Sequence, residues 1–147
     1  MKIVIVSIFL FYTLESLGQD LPKTFRLTFT TFNHADRFFD RTTTCVVTES
    51  SVKVTKTYLL DTISKTVFTR RIRNSQPLIS DINNIRLDSL DDFYFNNCVM
   101  ATSGNEYFLD YSCNTTIKHI RVHHFYLKQL DDVVQIINSL CTPKVSV

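Results

Sequence analysis

The chain has 147 residues, a formal net charge of +2 and two glycines. A balance so close to neutral argues against nucleic acid or an anionic membrane as the partner. With Gly18 and Gly104 as the glycines, no phosphate-cradling loop, dinucleotide fingerprint or nucleophile elbow can be assembled, which excludes P-loop enzymes, Rossmann dehydrogenases and α/β-hydrolases.

The N-terminus reads as a secretory signal peptide. Lys2 gives a positive start, the run from Ile3 to Leu14 is predominantly apolar, and the small residues Ser16 and Gly18 precede a cut that leaves Gln19 first. The run is too short for a membrane anchor, which needs about 20 apolar residues. Residues 1–18 are therefore expected to be removed and residues 19–147 to form a single secreted or periplasmic domain, without a membrane span after cleavage.

Strand after strand follows. In "FRLTFTTF", Phe25, Leu27 and Phe29 share one face, with Arg26, Thr28 and Thr30 on the other. "NHAD" turns the chain into "RFFDRTTTCVVT", "ESS" turns it into "VKVTKTYLL", and "DTIS" leads to "KTVFTRRIR". These are period-two segments rich in Thr, Val, Phe and Tyr, bounded by turn residues, the pattern of an antiparallel meander. Pro77 then breaks the strand pattern, and the Asn and Asp residues after it suggest turns or a short helix. "FYFNNCVMA" and "YFLDYSC" flank Gly104-Asn105, which suits a two-residue hairpin turn. In the last strand, "IKHIRVHHF", Ile120 and Val122 alternate with basic and His positions.

The C-terminal stretch "LKQLDDVVQIINSLCTP" has helical periodicity. Leu130, Val133, Val134, Ile137, Leu140 and Cys141 fall on one face, Asp131 and Asp132 stand in the first turns, and Thr142-Pro143 stops the helix. Such a stripe on a strand-rich chain is expected to cover the sheet at home. The expected fold is thus α+β: an antiparallel β-meander, as a curled sheet or small open barrel, covered by one C-terminal amphipathic helix. This order of elements resembles that of lipocalins and pleckstrin-homology domains, although the lipocalin Gly-x-Trp signature is missing because the chain has no Trp. A Phe-rich, strand-rich exported chain is also similar in composition to small exported proteins of Gram-negative bacteria.

No motif names a reaction, and no catalytic, cofactor-binding or metal-ligating residue is assigned. His119 and His123 stand about 13 Å apart along a strand, too far to share one ion, and His123 and His124 are expected on opposite faces. Cys98 with His123 or His124 is the one nucleophile pair considered, and it lacks the local signatures of cysteine proteases. Cys45, Cys98, Cys113 and Cys141 all follow the leader, so disulfides are allowed. A hairpin turning at Gly104-Asn105 makes Cys113 the diagonal neighbour of Cys98, roughly 7–8 Å away, and Cys98–Cys113 is the candidate disulfide. Cys45 reaches Cys141 only if the second strand lies beneath the helix.

Basic positions supply the candidate binding surface: Arg70, Arg71 and Arg73, and His119, Arg121 and His123 on the last strand. They suit a protein or an anionic surface ligand, and Asn114-Thr115-Thr116 is a glycosylation sequon. Three functions are expected in order: a non-catalytic binding or interaction domain; a lipocalin-like carrier of a small apolar ligand, lined by Phe93, Phe95, Phe108 and Tyr58; and a hydrolase of unfamiliar type. The leader yields a direct prediction. Exported protein should begin at Gln19, cyclised or not, and an intact mass that retains residues 1–18 would contradict it.

Overall fold

The computed structural model describes residues 24–33, 41–58, 64–96 and 105–141. Strand β1 is Phe25–Asn33, β2 Arg41–Thr48, β3 Ser51–Tyr58 and β4 Ser64–Arg71; helix α1 is Gln76–Asn84, followed by a 3-10 turn at Leu87–Ser89. Then come β5, Phe93–Phe95; β6, Asn105–Cys113; β7, Thr116–His123; and helix α2, Lys128–Leu140. Among the described residues, no helix is long and apolar enough to cross a membrane.

The alternation of the sequence decides which way each strand faces. Phe25, Leu27, Phe29 and Thr31 of β1 are buried while Arg26, Thr28, Thr30 and Phe32 are not. Its neighbours follow the same parity, since Leu27 pairs with Val47 on β2 and with Tyr111 on β6. The β2–β3 turn is closed by Thr48, whose Oγ1 accepts from the Ser51 amide at 3.1 Å. Glu49 in that turn accepts from the Phe25 amide at 2.9 Å and so ties the turn to β1.

Among the described residues, the strands form one open, seven-stranded mixed sheet in the order β4-β3-β2-β1-β6-β7-β5. The meander expected of the whole chain holds for β1 to β4, which pair in sequence. It fails beyond them, because β6 takes the free edge of β1 and β5 lies parallel to β7. The chain therefore passes from one edge of the sheet at β4 to the other at β5, burying Leu78, Ile79 and Ile82 of α1 on the way. Pro77 sits in the first turn of α1, where its missing N–H costs nothing. Arg86, with φ of 61°, ends the helical path.

One cluster of buried side chains joins the inner sheet face to both helices. It contains Leu27, Phe29, Val47, Val52, Val54, Leu109, Ile120 and Val122 from the strands, with Ile82 from α1 and Leu130, Val133 and Ile137 from α2. The C-terminal stripe thus buries at home as expected, but α1 shares the cover, so the sheet is roofed by two helices where one was expected. Stripping a fully buried aliphatic or aromatic side chain of this kind from the core costs roughly 1.5–3 kcal/mol in transfer alone.

The hairpin drawn from Gly104-Asn105 needs correction. Both edges of β6 are occupied, by β1 and by β7, so no strand from the Cys98 segment pairs along Asn105–Cys113. Cys98 and Gly104 lie outside the described residues, and Cys113 is a buried free thiol. The hairpin that does form joins β6 to β7 through Asn114, whose φ of 55° is one that Asn tolerates. The sequon asparagine is exposed at this tip.

Ile137, fully sealed in the core, gives the test of the roof. Ile137→Asp places an unpaired charge between α2 and the sheet and should cost about 3 kcal/mol or more. Thermal melting checks this. An unchanged melting temperature would mean that α2 does not pack as described.

Candidate binding surface

The helices roof one face of the sheet and leave the other open. On β7 the parity that buries Ile120 and Val122 sends Ile117, His119, Arg121 and His123 outward. On β5, paired in register with β7, Phe93 stands beside Arg121 and Phe95 beside His123. On β6, Glu106, Phe108 and Asp110 are opposite His123, Arg121 and His119. Three strands thus bring one row of aromatic and cationic groups to the open face.

The row is ordered by stacking. The Phe93 and Phe95 rings lie 6.0 Å apart and nearly parallel, at 7°. The His123 imidazole stacks on Phe95 at 5.2 Å. The Arg121 guanidinium lies 5.8 Å from the Phe93 centroid and 5.2 Å from that of Phe108, within the range of cation–π attraction. Phe108 in turn meets the Phe32 ring edge-on at 5.4 Å. Arg121 Nε donates to the buried carboxylate of Glu106, which fixes the guanidinium between the rings. Beside it His119 and Asp110 pair at 2.7 Å. Despite this packing, Phe93 remains 55% exposed and Phe95 41%.

Strand β5 is short, so its placement depends on outside contacts. The Arg121 amide donates to the Asp92 carbonyl at 2.9 Å, and Lys118 Nζ meets the Asp92 carboxylate at 2.7 Å. The Lys118 hydrogen bond and charge hold the Asp92 carboxyl below its usual range. On the roofed side of the same strand, Tyr94 packs on Phe125 at 5.4 Å.

The six basic positions expected as one surface form two. His119, Arg121 and His123 belong to the row above, next to the β5 edge. Arg70, Arg71 and Arg73 lie at the far edge, five strand spacings or roughly 24 Å from β7. There they line an open groove with Ser50, Ser51, Asn74 and Ser139. Arg70 Nη1 donates to the Leu140 carbonyl at 3.2 Å, so this arginine caps the end of α2. Among the described residues, no acidic side chain lines the groove.

Two further expectations change, and one residue was missed. Phe93, Phe95 and Phe108 face outward, so they do not line an interior cavity, and Tyr58 is half-buried at the end of β3. His124 does not point away from His123: with φ of 50° it leaves the strand path, and the two rings approach to 4.2 Å. Glu106, which holds Arg121, escaped the sequence reading, because its partner is fixed only by the β6–β7 register. Among the described residues, no three His, Cys, Asp or Glu side chains gather where a metal ion could be held.

Two buried titratable groups, Tyr111 and Cys45, belong to the roofed side. Tyr111 donates to Asn83 Oδ1 of α1 at 2.6 Å. Burial, then its hydrogen bond with Cys113, push its hydroxyl up to about 12. Burial also pushes the Cys45 thiol from 9.0 to about 12, and contact with Cys141 adds to the rise. Both groups hold their protons more tightly folded than unfolded. Their contribution to stability is thus complete below the unfolded values, and it is lost as pH climbs through the folded values near 12. Denaturant midpoints of the fully reduced chain should accordingly be flat just below pH 9 and fall steadily above it, and Cys45→Ala should flatten the fall. A midpoint that does not change between pH 9 and pH 11 would contradict this.

Against this geometry, comparison with protein-family models, with curated proteins and with solved structures finds no match, so the surface must be read from its own chemistry.

Proposed function

We propose that this chain is a non-catalytic, secreted binding domain that engages a protein partner through the open sheet face at β5, β6 and β7. The observation that carries the reading is the exposed Phe93–Phe95 pair held beside a pre-ordered Arg121. Aromatic side chains and arginine dominate the energetics of protein interfaces, and they contribute most when little entropy remains to be lost on binding. Here Arg121 is already stacked on two rings and held by Glu106. Among the described residues, no strand lies beside the edge of β5 away from β7, so a partner strand could extend the sheet there. The leader-like N-terminus supports export.

The roofed face favours this reading over a carrier, since the space between sheet and helices is filled by the core cluster. A hydrolase would need a nucleophile and a base in contact, and no observation favours one. A second reading, an anionic surface ligand, rests on the groove at Arg70, Arg71 and Arg73, whose wall carries three cations, three serines and an asparagine.

Cross-linking of the purified chain in the exported protein fraction of its own source tests the first reading. Cross-links should map to residues 92–96 and 117–123. Phe93→Ala with Phe95→Ala should weaken capture at least about 30-fold, at a cost of roughly 2 kcal/mol or more, with little change in melting temperature. Equal capture by the double variant would overturn the reading. For the groove, Arg71→Ala with Arg73→Ala should abolish retention on heparin at low salt, and unchanged retention would remove the anionic ligand from consideration.

A further inference from the structure

Two of the buried thiols meet across the main layer contact of the fold. Cys45 lies on the inner face of β2, between Phe29 on β1 and Val54 on β3. Cys141 follows the last turn of α2, where its amide donates to the Ile137 carbonyl at 3.1 Å and its backbone becomes extended. The two side chains are free thiols, 3% and 1% exposed, in the same core cluster, and near enough that each alters the other's hold on its proton. Strand β2 thus does lie beneath the end of the helix. Arg70 holds the same end from β4, through the Leu140 carbonyl.

We propose that Cys45 and Cys141 are the native disulfide of this protein, a covalent tie between the second strand and the end of the C-terminal helix. The oxidant is an external disulfide. Cys141 gives up its proton and attacks one sulfur of that disulfide, whose S–S bond breaks and releases one thiolate. Cys45 then gives up its proton and attacks the Cys141 sulfur, forming the Cys45–Cys141 bond and releasing the second thiolate. The two released thiolates take up the two protons, so two protein thiols are oxidised by two electrons and one external disulfide is reduced.

The burial that brings the thiols together also shields them. Both are held in their protonated form by desolvation, and the thiolate is the attacking species. Oxidation of the folded, reduced chain is therefore slow, and the bond forms while the chain folds. The tie closes a loop of about 100 residues, long enough for a large effect on the unfolded ensemble.

The test is refolding of the reduced, denatured chain in oxidised and reduced glutathione, then alkylation and peptide mapping without reduction. The same mapping on the Cys98→Ser variant removes a competing sulfur. Peptides joined at Cys45 and Cys141 should dominate in both proteins, and reducing the bond should lower the melting temperature by roughly 10 °C. Recovery of Cys45 or Cys141 as alkylated thiols, or joined to any other cysteine, would overturn the proposal. Cross-linking to a partner is a separate readout, so failure here leaves the binding surface standing.

Discussion

An open sheet has two faces, and in this chain only one of them carries a continuous layer of buried apolar side chains. Phe25, Leu27, Phe29, Val47, Val52, Val54, Leu109, Ile120 and Val122 all fall on the same side, and most are almost fully removed from water. Hydrophobic burial is the dominant favourable term in folding, so that side must be roofed. The chain carries two short amphipathic helices to do it, and Ile82, Val133 and Ile137 become sealed in the process. Everything else follows from this asymmetry: where the helices sit, which residues face solvent, and why the thiols of β2 and α2 meet.

The open face is not uniform. Over β1 and β2 it is carpeted by threonines, with Thr30 and Thr44 joined through their hydroxyls at 3.2 Å. Threonine suits a strand through its β-branching and suits water through its hydroxyl. Over β6, β7 and β5 the surface turns aromatic. Phenylalanine there has no core to enter, and exposed rings grouped in one place are the informative departure on a soluble surface. The two sheet edges differ as well. Strand β4 carries Lys65, Arg70 and Arg71 and pairs to β3 across a register shift at Val54/Thr55, features that deter edge-to-edge association. Strand β5 is short and flanked by stacked rings.

Much of the fold was legible because it is local. Strands β1 to β4 follow one another with clear alternation and short turns, and the stripe of α2 matches its buried positions Leu130, Val133, Ile137 and Cys141. What was lost is non-local. Nothing in "NEYFLDYSC" says that it pairs with β1, and "FYF" is too short to reveal that it runs parallel to β7. The candidate site suffered for the same reason. His119, Arg121 and His123 were legible as one strand face, but their aromatic neighbours arrive from β5 and β6 through strand order. Arg70, Arg71 and Arg73 were grouped with them by charge, and strand order sends them to the opposite edge. His124 was misplaced because a left-handed backbone is not written in the alternation.

Hydroxyl-radical footprinting of the purified chain, read residue by residue by mass spectrometry, tests the one-sided sheet most directly. The account predicts rapid labelling of Phe93, Phe95 and Ile117, which are 55%, 41% and 68% exposed, and protection of Leu27, Phe29, Val133 and Ile137, which are 0–1% exposed. Protection of Phe93 and Phe95 in the isolated chain, or labelling of Val133 and Ile137 at the same rate, would contradict it.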